Sequence, residues 1–344
     1  MTAKPAPFRV PLWYEIAGWS TRIVPLLVSR GRLGFWKKAR NPTVWLHAAS
    51  LGEAKGLLRL AEVLDDTPLT LTATTASGLA RLRSERPDLE SYLLPWDEES
   101  VVRRFLKVRQ VRCAIFLEAE LWPCVLQELA RADIPSALAS ARSGPRSHKN
   151  WNRLRAYFPG ITETLSVVWV DGASTALEGC GFRHLLDGAS LKWAGVRVRK
   201  SSVVPHRAAA LSLHLRDLLT LRKLVQRTPG KGWYWFPRRI WMRPIFRFWA
   251  RFLGLRSVPD PSKLAPGKIW IAPRFGLVNK VVPGCSTAWV SPGHDRIEPI
   301  RLGVPELLQT DGFGSGGNLP TPEGTREAIA AWARSTARGI GYQP

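Results

Sequence analysis

The amino-acid sequence predicts an α/β protein with doubly wound parallel sheets. Short apolar runs alternate with amphipathic segments, and the links between them are brief. The chain also has enough apolar residues to bury both faces of a sheet: 344 residues, 45% hydrophobic and 22% charged. Strand–helix alternation with short links is what right-handed parallel crossovers produce, and the length suits two domains better than one.

The elements follow in order. Leu12 to Val28, LWYEIAGWSTRIVPLLV, is apolar and aromatic, and the basic SRGRLGFWKKAR comes next. Such a pair suits a membrane interface; a helix packed on the domain with a solvated basic loop is the alternative. TVWLHAAS reads as a buried strand and GEAKGLLRLAEVL as a helix with Leu57, Leu58, Ala61 and Leu64 on one face. LTLTATT is a second strand, Ser77-Gly78 opens a helix, and ESYLLPWD is a short strand or loop. EESVVRRFLKVRQ is a helix that starts with acids and ends with bases, as the helix dipole favours. VRCAIFLEAELWP is a strand running into a turn, CVLQELARADI a helix and PSALASARS a strand, followed by LSVVWVDG and the short GFRHLLDGASLKWAG. VRVRKSSVVPHR reads as a linker. Beyond it, AALSLHLRDLLTLRKLVQR reads as a helix, GWYWFPRR and GKIWIAPR as strands, and STAWVSPGHDRIEPIRLGVPELL as strand, loop, short helix, strand. RIWMRPIFRFWARFLGLR is a basic amphipathic helix interrupted at Pro244, and TPEGTREAIAAWARSTARG a capped C-terminal helix. The expected divisions are 1–40, a membrane-associating segment; 41–200; 201–320; and 321–344, a helix and tail.

The formal charge of +23 calls for anionic partners, and 16 Trp favour boundaries between apolar and wet surroundings. Together they suit an anionic membrane surface. Nucleic acid, which rests on charge alone, is not expected as a partner. The four cysteines form no C-x-x-C pair, so no zinc or redox motif is read, and their scarcity suggests a reducing compartment. The N-terminus carries no signal-peptide pattern and no window reaches 18 uninterrupted apolar residues. His47, His184, His206, His214 and His294 show no metal spacing, with His47 strand-embedded and His294 a loop donor. No Walker A sequence and no G-x-G-x-x-G follows the first strand, which argues against NTP hydrolysis and dinucleotide redox chemistry.

In a doubly wound sheet, ligands bind at the carboxyl ends of the strands. That rule lines Glu53, Thr74, Thr75, Glu118, Glu120, Arg142 and Lys192 along one rim. Glu53 is either a helix-start charge or a base positioned to take a proton from an acceptor hydroxyl. Glu118 and Glu120, at i and i+2, are expected on one side of a strand end; an ion pair with Arg142 or Arg146 is the structural alternative. Pro237 to Arg239 place bases after a strand, and SPGHDRIEP is a turn entering a helix that carries Glu298, a pattern that suits phosphate and ribose.

Taken together, RGRLG, VWLHAASLGEAKG, LTATTASGLAR, YLLPWD, AIFLEAELWP, IPSALASARSGPRS and GASLKWAG resemble, in order from about Arg30 to Gly195, the 3-deoxy-D-manno-octulosonic acid (Kdo) transferase family. The resemblance implies a GT-B fold, two Rossmann-like domains facing a cleft. It implies transfer of Kdo from CMP-Kdo to a lipid A precursor on the cytoplasmic face of the inner membrane, by a peripheral or N-terminally anchored enzyme that needs no metal or other cofactor. The Glu of the family's S-x-G-E motif, its general base, falls on Glu53. Both acids of E-T-E-L-W-P-N are kept, as Glu118 and Glu120, and would orient the acceptor or the sugar. Ser50, Thr74, Thr75, Arg142 and Lys192 become candidates for the acceptor and its phosphates, and Arg238, Gly276, Gly293, His294 and Glu298 for the nucleotide. The second domain, shortened, departs more. S-T-H-x-G-E-E becomes Ser212 to Leu218, P-R-H becomes Pro237-Arg238-Arg239, and D-T-x-G-E-L becomes Ala272 to Leu277 without its Asp and Glu. A non-catalytic or donor-altered GT-B relative, binding lipid headgroups or using another sugar nucleotide, is the alternative.

Overall fold

The computed structural model describes residues 9–14, 16, 30–194, 207–213, 218–227, 232–237, 244–245, 248–249, 287–290, 306–308 and 321–339. The chain divides into two units, Met1–Gly195 with Gly316–Pro344, and Val196–Ser315. The helix at the C-terminus therefore belongs with the N-terminal sheet.

The first unit holds seven strands: β1 Thr43–Ala48, β2 Leu69–Ala73, β3 Glu90–Leu93, β4 Val111–Leu117, β5 Ser136–Arg142, β6 Val167–Asp171 and β7 Leu185–Gly188. They pair in parallel in the order β3-β2-β1-β4-β5-β6-β7. The order runs outward in one direction from β1 and in the other from β4, so the topological switch point lies between these two strands. Both faces are covered, which is why β1, β2 and β5 read as near-continuous runs of apolar and small residues. Alternate residues serve opposite faces. Trp45 joins Phe105, Phe116 and Leu126 on one side, while Val44, Leu46 and Ala48 join Leu57, Leu60 and Trp332 on the other.

The helices of this unit are α1 Leu51–Val63, α2 Ala76–Glu85, α3 Glu99–Arg109, α4 Pro123–Arg131 and α5 Pro145–Tyr157. The sequence pattern marked the first four but not α5. That helix is mostly polar, and only widely spaced apolar residues, Trp151 and the following Phe158, are buried in the core. Pro145 at its first turn supplies the preset φ of a helix start.

In the second unit, β8 Arg207–Leu213, β9 Gly232–Pro237, β10 Thr287–Val290 and β11 Glu306–Leu308 form a parallel sheet in the order β11-β10-β8-β9, with the helix α6 Leu218–Arg227. This corrects the single helix expected from AALSLHLRDLLTLRKLVQR. Its first half, Ala208 to Leu213, is a strand hydrogen-bonded to β9 on one side and β10 on the other. Alanine is the best helix former, and here sheet pairing overrides that preference. The linker, the strand GKIWIAPR, most of the basic amphipathic segment and most of Leu12 to Val28 lie outside the described residues.

The last helix, α7 Pro322–Ala337, opens on Thr321, whose hydroxyl accepts from Gly324 N–H at 3.0 Å. It seals one face of the first sheet. The Trp169 and Trp332 rings meet edge to face at 6.0 Å, Ala189 N–H donates to Thr325 Oγ1 at 2.9 Å, and Arg334 Nε donates to Asp66 at 3.1 Å.

Candidate functional site

The carboxyl ends of β1, β2, β4 and β5 carry the candidate residues, grouped in three clusters around the switch point. The first is the start of α1. Ser50 is its N-cap, accepting from Glu53 N–H at 3.4 Å and donating from its hydroxyl to Glu53 Oε1 at 3.0 Å. Ala49 N–H donates to Glu53 Oε2 at 2.8 Å. Glu53, 8% exposed, is thus folded back onto neutral donors at the end of β1 in a reciprocal cap. Among the described residues no cation holds it, and each oxygen retains a second lone pair.

The second cluster is ionic. Glu118 is buried, and its two oxygens meet the Arg142 guanidinium and the Lys192 ammonium. Arg142 ends β5. Lys192 sits in the short Leu191–Trp193 turn after β7, and that turn lies close against α1. A Cβ on Gly56 would stand 3.2 Å from the Leu191 carbonyl carbon, so glycine is what lets the helix and turn approach. Glu118 has φ +64, and Ser140 in the neighbouring strand has φ +58, a conformation that costs non-glycine residues free energy and clusters at functional sites. Glu118 N–H still donates to Ala139 O at 2.8 Å, so the left-handed residue is pinned at the carboxyl end of the sheet.

That turn corrects the expectation that Glu118 and Glu120 share one side of a strand end. The strand stops at Leu117, and the left-handed Glu118 breaks the period of two. Glu118 faces β5 and the Lys192 turn. Glu120 goes the other way, toward β1, where its Oε2 accepts from Trp122 Nε1 at 3.0 Å and lies 3.8 Å from His47 Nε2. The ion-pair alternative considered for Glu118 is realised with Arg142.

The third cluster joins β1 and β2. His47 is fully buried, as its strand position implies, with Nδ1 2.8 Å from Thr72 Oγ1 and Nε2 3.3 Å from Thr74 Oγ1. Thr75 is the N-cap of α2, its hydroxyl accepting from Gly78 N–H at 3.2 Å. Arg32, from the RGRLG motif, donates to the Thr74 carbonyl, and burial pulls its pKa below the usual guanidinium range. Sequence reasoning gave Arg32 no role; the motif itself was the available signal.

Behind these clusters lies a further buried carboxylate that the sequence did not single out. Asp97 accepts from Val125 N–H at 2.9 Å near the start of α4 and from Tyr14 O–H at 2.7 Å. Desolvation pushes it up to about 6, and burial together with Asp97 holds the Tyr14 phenol far above its usual range. Burial likewise pushes the Cys113 thiol up to about 12, consistent with a structural thiol. Among the described residues no group of three His, Cys, Asp or Glu gathers as a metal site. Arg238, Gly276, Gly293, His294 and Glu298 lie outside the described residues.

Comparison with known proteins adds the following. Residues 29–178 match the family profile described as 3-Deoxy-D-manno-octulosonic-acid transferase (kdotransferase). Over 148 residues the chain is 35% identical to a 3-deoxy-D-manno-octulosonic acid transferase of Bordetella pertussis, covering 40% of this chain and 35% of the relative. Over 179 residues it is 33% identical to the protein of the same description from Rickettsia felis, covering 50% and 38%. The matched segment therefore spans well under half the length of these relatives. Among solved structures, a putative UDP-N-acetylglucosamine 2-epimerase from Listeria monocytogenes superposes with a TM-score of 0.58 at 11% identity, over 87% of this chain and 97% of the other. A UDP-N-acetylglucosamine 2-epimerase from Rickettsia bellii gives 0.50 at 14% identity, over 78% of each chain. These likenesses concern the fold alone, which is α/β of the GT-B class.

Proposed function

We propose, from the premise that residues 29–178 belong to the 3-deoxy-D-manno-octulosonic-acid transferase family, that this chain is a glycosyltransferase moving Kdo from CMP-Kdo to a lipid A precursor in lipopolysaccharide core synthesis. The observation that carries the proposal is Glu53. It is a nearly buried carboxylate at the switch point of the sheet, held among the described residues by the Ala49 N–H and the Ser50 hydroxyl. A carboxylate so placed is within reach of a hydroxyl brought to the rim and can serve as its general base.

In this reaction Glu53 takes the proton of an acceptor hydroxyl. The oxygen so freed bonds to the anomeric carbon of Kdo, while the bond from that carbon to the phosphate oxygen of CMP breaks and its electron pair leaves with CMP. Glu118 is neutralised by two cations, so its part is to aim Arg142 and Lys192 at a phosphate or carboxylate. Glu120, with Ser50, Thr74 and Thr75, orients the acceptor. Ser50 and Thr75 do so from helix N-caps, where first-turn N–H groups favour anions. Arg238, Gly276, Gly293, His294 and Glu298 hold the nucleotide. The chemistry calls for no metal, since the charge on the departing phosphate is met by arginine and lysine.

An anionic membrane is proposed as a further partner, at the cytoplasmic face of the inner membrane. Leu12, Trp13, Ile16 and Phe35 are exposed, Trp13 by 54% and Phe35 by 75%, and Phe35 is followed by exposed Lys37, Lys38 and Arg40. No helix among the described residues is long and apolar enough to cross a membrane, so the proposed attachment is interfacial. Flotation with vesicles containing phosphatidylglycerol is expected to carry the protein, and to lose it when Leu12, Trp13 and Phe35 are replaced by Ser.

A transfer assay with radiolabelled CMP-Kdo and a lipid A precursor tests the activity. Label is expected in the lipid with the wild-type chain and not with Glu53→Ala; no transfer by the wild type would sink the proposal. A second reading is favoured by the same corner: both Glu53 oxygens already serve the helix cap, and the C-terminal motif lacks its Asp and Glu. On that reading the chain is a non-catalytic or donor-altered GT-B relative, and calorimetry with CMP and CMP-Kdo gives no heat at millimolar nucleotide.

A further inference from the structure

The core supplies a row of hydrogen bonds that the proposed chemistry has not used. Trp45 Nε1 lies 2.7 Å from Thr72 Oγ1, Thr72 Oγ1 lies 2.8 Å from His47 Nδ1, and His47 Nε2 lies 3.3 Å from Thr74 Oγ1. Trp45, His47 and Thr72 are fully buried; Thr74 is half-buried at the end of β2. The parallel register sets Thr72 beside His47, with Trp45 two residues earlier on the same face of β1.

An indole N–H only donates, so the bond between Trp45 and Thr72 has one possible direction. Thr72 then has one hydroxyl hydrogen left to place. If His47 Nδ1 carried a hydrogen, Thr72 would accept twice, and among the described residues its own buried hydrogen would have no further hydrogen-bond partner, at a cost of about 1–3 kcal/mol. The arrangement that satisfies every group has Thr72 donating to Nδ1, which leaves the imidazole hydrogen on Nε2. Glu120 Oε2, at 3.8 Å, is too far to take it as a hydrogen bond, whereas Thr74 Oγ1 at 3.3 Å is within reach. Thr74 Oγ1 thus accepts from below, and its own hydrogen is free to point out of the sheet.

We infer that His47 is a positioning residue: the Trp45–Thr72 pair fixes its Nε2–H tautomer, and that N–H orients the Thr74 hydroxyl as an outward donor to an oxygen of the bound acceptor. The ligand chemistry is an oxygen acceptor at the rim, a phosphate or sugar oxygen. Its identity as a lipid A precursor rests on the transferase reading, whereas the tautomer does not. The other groups around His47 are the Phe116 ring on β4, with centroids 6.0 Å apart, and the Glu120 carboxylate. Neither competes for Nδ1.

Long-range proton–nitrogen correlation spectra on the full chain, labelled at histidine nitrogen, read the tautomer directly. The inference expects hydrogen on Nε2 of His47 in the wild type. It expects a mixed population in Trp45→Phe, where Thr72 is released to accept, and the wild-type tautomer in Thr72→Ser. Near-ultraviolet circular dichroism confirms that each variant is folded. Binding of a bisphosphorylated, acylated glucosamine disaccharide in detergent is expected to weaken about fivefold in Thr74→Val and in Thr72→Val, the equivalent of one ordinary hydrogen bond, and to recover in Thr74→Ser and Thr72→Ser. Hydrogen on Nδ1 in the wild type overturns the inference, as does a tautomer indifferent to Trp45→Phe. If the wild type fails to bind the disaccharide while the Nε2–H tautomer is observed, the transferase reading fails and the positioning of Thr74 stands.

Discussion

Two buried glutamates flank the switch point and are held in opposite ways. Glu118, after β4, is clamped between Arg142 and Lys192 in a left-handed backbone conformation. Glu53, after β1, is held by a backbone N–H and a serine hydroxyl at a helix start. The first is an ion cluster whose negative charge is already matched, which makes it a good organiser of cations. The second, among the described residues, has hydrogen bonds without a counter-charge. On the proposed reading it is the charge of the partners, and not burial alone, that separates a base from an organiser of cations. Asp97 is a third case, in which burial dominates. Held among the described residues by neutral donors, it is pushed up to about 6 by desolvation.

The comparison can be broken by measuring stability at each corner. Glu118→Ala leaves Lys192 and Arg142 together without their anion. Removing one partner of a buried pair costs about 3–5 kcal/mol, and because the Arg142 side chain is 48% exposed, the expectation sits near the lower figure, about 3 kcal/mol in urea denaturation. A loss below about 0.5 kcal/mol would show the cluster to be an ordinary surface pair. Next comes Asp97. Its folded pKa is raised, so its contribution is fully present below its ordinary value and is lost as pH rises through about 6. Relative to Asp97→Asn, the wild type should lose about 2–3 kcal/mol as pH is raised from about 4 to about 7. A pH-independent difference would put Asp97 with the charge-matched group. Ser50→Ala removes the cap at the Glu53 corner and should cost about 1 kcal/mol. Thr75→Ala, at the exposed start of α2, should cost about the same or less in thermal unfolding. If Ser50→Ala rivals Glu118→Ala, the two corners are not different in kind.

Much of the first unit was legible because buried parallel strands are written as apolar runs: TVWLHA, LTLTA and VRCAIFL each became a strand within a residue or two of the expected limits. Local preference misled where pairing decides. Ala208 to Leu213 has helix-forming residues but sits between two strands, and α5 has too few buried residues to show a period. At the site, residue types and strand ends were readable, so Glu53, Arg142 and Lys192 fall on the rim as expected. The separation of Glu118 from Glu120 was not, because nothing in FLEAELWP announces a glutamate at φ +64. Nor was the Thr72–His47 bond, which depends on the register between β1 and β2. Ser50 and Glu53 had a readable signal in S-x-x-E, the spacing of a reciprocal helix cap.

The central claim is that Glu53 acts as a base as well as a cap, and Glu53→Gln separates the two. The amide oxygen can still accept one of the cap hydrogen bonds, while the group can no longer take a proton. Turnover with CMP-Kdo and a lipid A precursor, measured beside the melting temperature, is expected to fall by about 10²–10⁴-fold, with stability changed by no more than about 1 kcal/mol. Undiminished turnover in a folded Glu53→Gln chain would contradict the account and leave Glu53 a helix cap alone.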